Sequence, residues 1–442
     1  MKNRSGFSSK LGFVMAAAGS AVGLGNIWRF PNLVANYGGG LFVLIYIILV
    51  ITVGSTLMTT EIALGRRGQT DAYGCYKKLD KRFSFLGIFG ILIPFFIASY
   101  YSVVGGWIVK YLVEFVRGNL TQLTGATYFS NYIASPVAPV VYHGTFIIVS
   151  MLILLCGVKQ GIEKSNKIMM PALLVLSVVI AVRSVTIPGG LSGLAFYLIP
   201  DFSKFTFESV LMAIGQVFYS LSLAMGIMVT YGSYMGRDVN IQKSVKMTEL
   251  FDTCVAFLAG MMIVPAVFAI SGGNPDGINA GPGLLFETLP NVFSHVPFGG
   301  IFGALFFLLV LFAALTSMIS LMEVVITWLI DRFQMGRIKA TLLTTVSVFA
   351  FGIPSSLGFG VWQDVTIFGR SIFDFIDFTA NNVIMPLVAI ATCIFVGYFW
   401  GVKNIFEEAE ISGSFKNKKY YTIMVRYVVP ICIAAVWITG IL

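Results

Sequence analysis

Long apolar runs, most at or beyond the ~20 residues that cross a bilayer, alternate along the chain with short polar and basic stretches. They predict eleven spans, near 11–35, 40–65, 86–116, 143–158, 168–187, 207–235, 245–271, 299–330, 338–353, 371–401 and 420–442. The first run is long, so it predicts a retained span rather than a removable signal peptide. Two runs are interrupted. Gly19 to Pro31 reads GSAVGLGNIWRFP, with glycines at 19, 23 and 25 halfway along the first. Irregular backbone at membrane depth survives only where protein or a water-filled cavity surrounds it. The glycines therefore predict either a broken helix or a helix that lets its neighbours approach closely. The stretch from Ser220 to Gly226, SLSLAMG, interrupts the sixth run with hydroxyls and a glycine that offer the backbone alternatives to the helical ladder. First and sixth lie five spans apart, so they cross in opposite directions. The pattern predicts an all-α integral membrane protein of two inverted five-span repeats, 11–187 and 207–401. The eleventh span, 420–442, lies outside them, and binding is expected where the broken helices face each other.

Composition agrees: of 442 residues, 57% are hydrophobic and 11% charged. A net charge of +9 would suggest nucleic acid if the bases clustered on one soluble face, but they follow topology. Lys10, Arg66, Arg67, Lys77, Lys78, Lys159, Lys164, Arg237, Lys243, Arg332, Lys339, Lys403 and Lys418 fall on one side with most of the other basic residues. The positive-inside rule makes that side cytoplasmic. The N-terminus is then inside, the C-terminus outside, and the cell inner membrane is the expected location. The five cysteines, at 75, 156, 254, 393 and 432, lie mostly within spans without metal spacing. His143 and His295 lie near external span ends. No nucleophile–base or metal set appears, so no enzyme is expected.

The stretches GSAVGLGNIWRFPNLVANYGGG, ASYYSVVGGW, GQVFYSLSLAMG, AALTSMIS and IDFTANN resemble the neurotransmitter:sodium symporters, in particular their bacterial amino-acid-transporting branch. The likeness covers nearly the whole chain. It implies a single transporter domain over 1–442, Na⁺ at two sites and an amino acid as the small-molecule substrate. The first Na⁺ site would use the Ala21 carbonyl, Asn26, Ser220 and Asp252, completed by the substrate carboxylate. The second would use the carbonyls of Gly19, Val22 and Ala313 and the hydroxyls of Thr316 and Ser317. Taken by themselves, Thr316 and Ser317 could equally serve helix packing or bond carbonyls four residues back. Asp252 differs: an ionisable residue deep in a span costs at least ~2.5–3.5 kcal/mol on insertion scales, which makes a functional role the default. The family's better-known pattern has asparagine here, and some bacterial members place a glutamate one turn on, where this chain has Ala256. Asp252 is thus expected both to bind Na⁺ and to supply a fixed negative charge that makes chloride unnecessary.

Free N–H groups of Leu24 and Gly25 at a half-helix start favour a carboxylate. Tyr101 resembles the family tyrosine that bonds that carboxylate, although a packing aromatic would look the same. Gly23 stands where monoamine transporters carry an aspartate, which points to an amino acid rather than a bare amine. The resemblance assigns the substrate side chain to Ile97, Tyr219, Ser222, Met225, Ser317 and Leu321, with Ala21 and Ser220 nearby. Met225 replaces the phenylalanine of the family's leucine transporter and is adaptable, so a large hydrophobic or aromatic amino acid is expected, tyrosine favoured. Ala224 replaces the usual glycine and is expected to limit unwinding of the sixth span. Arg29 and Asp377 would pair above the substrate, with Gln216 beside them and Tyr219 as lid. Arg4 and Asp331 would close the cytoplasmic side. Gly161 and Pro171 match a family element for local unwinding of the fifth span, and proline at a helix start explains Pro171 equally well. Glu61 and Glu323 are expected to be structural. Two other functions remain open: the same machinery moving glycine or an osmolyte, and an amino-acid receptor without transport. The sequence leaves the oligomeric state undetermined, and its short N-terminal stretch suggests a bacterial source.

Overall fold

A computed structural model describes residues 6–273 and 281–441. Among these, nine continuous helices are long and apolar enough to cross a membrane. They are Gly40–Gly68, Lys81–Val116, Ala138–Leu155, Val158–Val185, Ile241–Ser271, Gly299–Phe333, Arg337–Leu357, Ile372–Trp400 and Lys418–Ile441. A bent pair, Lys10–Ala21 and Gly25–Asn36, forms another crossing with its halves inclined at 54°. Phe207–Ser220 and Ile227–Ser233 are each too short to cross alone. Joined across residues 221–226 they make a second interrupted span, and the count is then consistent with eleven.

The starts of the helices follow from local chemistry. Ser9 caps the first span by accepting the Gly12 N–H at 3.0 Å, Thr206 caps the sixth through Ser209 N–H at 3.1 Å, and Asn240 caps the seventh through Lys243 N–H at 2.9 Å. Three starts differ from the sequence expectation by five residues or more, the third span beginning at Lys81 rather than 86. The fourth span begins at Ala138 rather than 143, and the fifth at Val158 rather than 168. Hydropathy stops short at Lys159, Lys164 and Lys167, but the helix continues through them. Lys167 pairs with Glu163 at 2.6 Å, one turn away.

The first half of the first span, Lys10–Ala21, packs against the fifth, seventh and eighth. Every residue from Gly12 to Ala21 in it is buried. Both halves of the sixth lie against the second, and the third lies along the eighth. The eighth span is the most enclosed, 78% buried over its apolar window, whereas the eleventh is 22% buried and sits at the edge on the tenth. Apolar side chains such as Ile51, Val175, Val346 and Ile431 face outward at the depth of the spans, as lipid requires.

Candidate binding site between the broken spans

The two breaks meet. In the first span the helix ends at Ala21, Val22 is extended (φ −73°, ψ 106°), and a wide helical turn resumes at Gly25–Arg29. In the sixth, Ser222 (φ 52°), Ala224 (φ 59°) and Gly226 (φ 68°) all adopt the left-handed region. Only glycine does so without steric cost. Ala224 therefore does not limit the unwinding as expected. Its backbone turns left-handed, and its N–H is taken by Glu61 Oε1 at 2.6 Å. Contacts tie the breaks together: Ser222 Oγ donates to the Ser20 carbonyl at 2.9 Å, and Ser20 Oγ donates to Ser222 Oγ at 3.2 Å.

Between the breaks lies a cavity. The first span contributes Ala21, Gly23, Leu24 and Gly25, the third Ile97 and Tyr101, the sixth Tyr219, Ser222 and Met225, and the eighth Ser317 and Leu321. All eleven were anticipated from sequence. Ser20, Asn26 and Ile227 also line it, and of these Asn26 was expected only as an ion ligand. Ser220, expected at the substrate, is turned away into a polar cluster behind the cavity. The cavity is small, ≈ 40 Å³. Two glycines keep it open to the backbone. A methyl group on Gly25 would meet the Tyr219 ring at 2.4 Å, and one on Gly23 would meet Ser317 Oγ at 2.8 Å. The Tyr101 hydroxyl sits beside Ser317 and the Leu24 amide without completing a hydrogen bond among the described residues.

Behind the cavity, Asp252 is fully buried and heavily bonded. Its carboxylate accepts from Asn26 Nδ2 at 2.7 Å, from Ser220 Oγ at 2.8 Å and from Tyr46 OH at 2.9 Å. Tyr46 was not anticipated, although a hydroxyl in the middle of the second apolar run was the available signal. Asn26 Oδ1 accepts the Gly23 N–H at 3.2 Å. The cluster is built of hard oxygen donors suited to a small cation, provided the Asn26 amide presents its oxygen. Amide orientation follows whichever hydrogen bonds are present.

On the far side of the first break, Ser317 Oγ donates to the carbonyls of Val22 and Ser20 at 3.2 and 3.3 Å, and Thr316 Oγ1 donates to the Ala313 carbonyl at 3.0 Å. A methyl group on Gly19 would lie 3.2 Å from Thr316 Cβ. The five residues expected at the second ion site are thus close together.

Above the cavity the expected pairing of Arg29 with Asp377 is not a direct ion pair. The Arg29 guanidinium lies over the Tyr219 ring, 5.5 Å from its centroid, with Asp377 an electrostatic neighbour. Asp377 accepts instead from Asn381 Nδ2 at 2.8 Å. The lid ring offers the cation its π face. Gln216 Nε2 donates to the Gly25 carbonyl at 3.1 Å and so ties the lid helix to the first break. Below, Asp331 Oδ2 accepts from the Asp71 N–H at 2.8 Å and Thr70 Oγ1 at 3.1 Å, and Arg4 lies outside the described residues. Glu323 is structural: it forms a two-pronged pair with Arg337 at 2.7 and 2.8 Å and accepts from Tyr234 OH at 2.8 Å.

Comparison with known proteins agrees with this architecture. The profile of the sodium:neurotransmitter symporter family matches residues 4–136 and 138–442. An uncharacterised sodium-dependent transporter of Bacillus subtilis, YhdH, is 39% identical over 98% of this chain and 96% of its own length. A second uncharacterised sodium-dependent transporter, of Haemophilus influenzae, is 39% identical over 99% and 98%. The sodium- and chloride-dependent taurine transporter of Homo sapiens is 25% identical over 92% and 73%. Among solved structures, MhsT in complex with L-phenylalanine superposes with a TM-score of 0.89 at 39% identity, covering 99% of this chain and 100% of that one. The chain belongs to the sodium:neurotransmitter symporter family and is a sodium-dependent, multi-pass membrane transporter rather than an enzyme.

Proposed function

We propose that this transporter imports a hydrophobic or aromatic L-amino acid, tyrosine favoured, together with Na⁺ at two sites, by alternating access and without chloride. The observation that carries the amino-acid assignment is the Tyr101 hydroxyl, buried at the cavity beside the Leu24 amide with no hydrogen-bond partner among the described residues. A hydroxyl and a half-helix N-terminus side by side suit a carboxylate. Gly23 offers no counter-charge for a bare amine. Met225 and Leu321 give the side-chain end an apolar and adaptable wall, and a relative of 39% identity was solved with L-phenylalanine.

The first ion is assigned to Ala21, Asn26, Ser220 and Asp252, and the second to Gly19, Val22, Ala313, Thr316 and Ser317. Chloride independence is supported by Tyr46 and Ser220, whose hydroxyls both donate to the Asp252 carboxylate. The fixed charge of that carboxylate does the work an anion would otherwise do. Na⁺ entering from outside closes the cytoplasmic side and completes the substrate site. Substrate then draws Tyr219 and Arg29 over the cavity, and inward opening releases the second-site ion first.

Uptake of labelled L-tyrosine into proteoliposomes tests this. Accumulation above equilibrium is expected with an inward Na⁺ gradient and none with K⁺ in its place, unchanged when gluconate replaces chloride. A collapse in gluconate would overturn chloride independence. Tyr101→Phe should weaken substrate binding about tenfold, the order of a hydrogen bond to a charged group. A second reading, a small substrate such as glycine, is favoured by the size of the cavity, where a ring needs Met225 or Tyr219 to shift. Competition against labelled tyrosine by glycine, alanine, leucine and phenylalanine separates the two.

A further inference from the structure

Asn166 lies on the fifth span and is 0% exposed. Its Nδ2 donates to the Ile162 carbonyl at 2.8 Å, which fixes the orientation of the amide, since turning it over would set two oxygens face to face. Oδ1 is left with no hydrogen-bond partner among the described residues. It points at the first span. A methyl group placed on Gly19 would lie 2.0 Å from Asn166 Oδ1 and 3.2 Å from Thr316 Cβ. The amide oxygen, the Gly19 backbone and the Thr316 side chain therefore converge on one small region. No donor is left for Oδ1 there, because the Thr316 hydroxyl is committed to the Ala313 carbonyl and the Ser317 hydroxyl to those of Ser20 and Val22. A buried polar atom without a partner is costly, and oxygens gathered without hydrogens between them suit a hard cation.

We propose that Asn166 Oδ1 is a further oxygen ligand of the second Na⁺ site, which ties that ion to the fifth span as well as to the first and eighth. This rests on the two-site reading above. The fifth span otherwise supplies no ligand, so the amide couples its position to occupancy of the site.

The test is the Na⁺ concentration giving half-maximal thermal stabilisation of the purified full-length protein in detergent, measured without substrate and again by Na⁺-dependent uptake. Asn166→Leu keeps the volume and removes the oxygen, and should raise that concentration about fivefold or more. Asn166→Asp keeps an oxygen but cannot donate to Ile162, and should match or improve on the parent. If Asp proves as damaging as Leu, the amide matters only through its bond to Ile162 and the proposal falls. Asn166→Ser serves if Leu does not fold, with the melting temperature in Na⁺-free buffer as the check on folding, and the same fivefold rise is expected. Thr316→Ala runs in parallel. A raised Na⁺ requirement in Thr316→Ala with none in Asn166→Leu or Asn166→Ser overturns the role of Asn166 and leaves the site standing. No change in Thr316→Ala either overturns the second site itself, and the role of Asn166 with it.

Discussion

Asp252 is met by three donors, and each comes from a different part of the chain: Asn26 in the first break, Tyr46 in the second span and Ser220 at the end of the sixth half-helix. Asp252→Asn would remove the carboxylate while leaving its shape. Its expected effect is a Na⁺ requirement raised about tenfold or more, the order of a lost bond to a charged group, read from Na⁺ titration of uptake. Uptake by that variant should also come to depend on chloride. Gly25 is held to bare hydrogen by the Tyr219 ring, 2.4 Å from where a methyl group would sit. Gly25→Ala should therefore prevent the lid from seating and abolish saturable substrate binding, with folding intact by size-exclusion profile. At this scale the sequence was informative where chemistry announces itself, as with an acid in an apolar run or glycines where a helix should be. It marked Tyr46 only as a hydroxyl in an apolar run and gave no sign of Asn166, and the importance of both lies in what faces them across the bundle. No local pattern records a partner 206 residues away in sequence.

The broken sixth span is an element under tension. Two of its three left-handed residues, Ser222 and Ala224, carry side chains, at ~1–2 kcal/mol each relative to right-handed backbone. Glu61 offsets part of this by accepting the Ala224 N–H at 2.6 Å. Ala224→Gly should accordingly raise the melting temperature slightly, by the equivalent of about 0.5–1 kcal/mol. Glu61→Ala should lower it and reduce uptake, because a freed backbone N–H in the membrane must find another partner. Outside the membrane, Asp80 starts the third span by accepting the Arg82 N–H at 3.0 Å. The Arg82 side chain holds its carboxyl below the usual carboxylate range. Asp80 therefore stays charged at neutral pH, and its contribution is lost only as the pH falls through that lowered value. A melting curve flat between pH 6 and pH 8 with respect to Asp80→Asn would agree. The elements themselves were largely legible, since eleven apolar runs and two interruptions are visible in the string. The start of the fifth was not, because the lysines that end a hydropathy peak do not end a helix when a carboxylate stands one turn away.

The bundle is fastened at one end by a fully buried cation. Arg66 Nε donates to Glu408 Oε1 at 2.8 Å and Nη1 to the Val239 carbonyl at 2.7 Å, and Nη2 donates to the Glu408 carbonyl. One side chain thus joins the second span, the turn after the sixth and the segment between the tenth and eleventh. Arg66→Ala would leave the buried Glu408 with only the partly exposed Arg67, 3.5 Å away, and should cost up to about 3–5 kcal/mol, seen as a large fall in melting temperature. For the transporter as a whole, if two Na⁺ accompany each zwitterion, ~100 mV and a tenfold Na⁺ gradient would supply roughly 7 kcal/mol. That sets a ceiling near five decades of accumulation, and a measured ratio above the one-ion limit would establish the second ion. The interrupted sixth span also bears on how the protein is made. As a bare sequence it is one apolar stretch that can enter the bilayer as an ordinary helix. Its unwound backbone is tolerated only once Glu61 and the first span stand beside it. Unwinding is therefore a late step of biogenesis, after insertion, and a nascent chain whose second span is missing should keep the sixth as a straight, sealed helix.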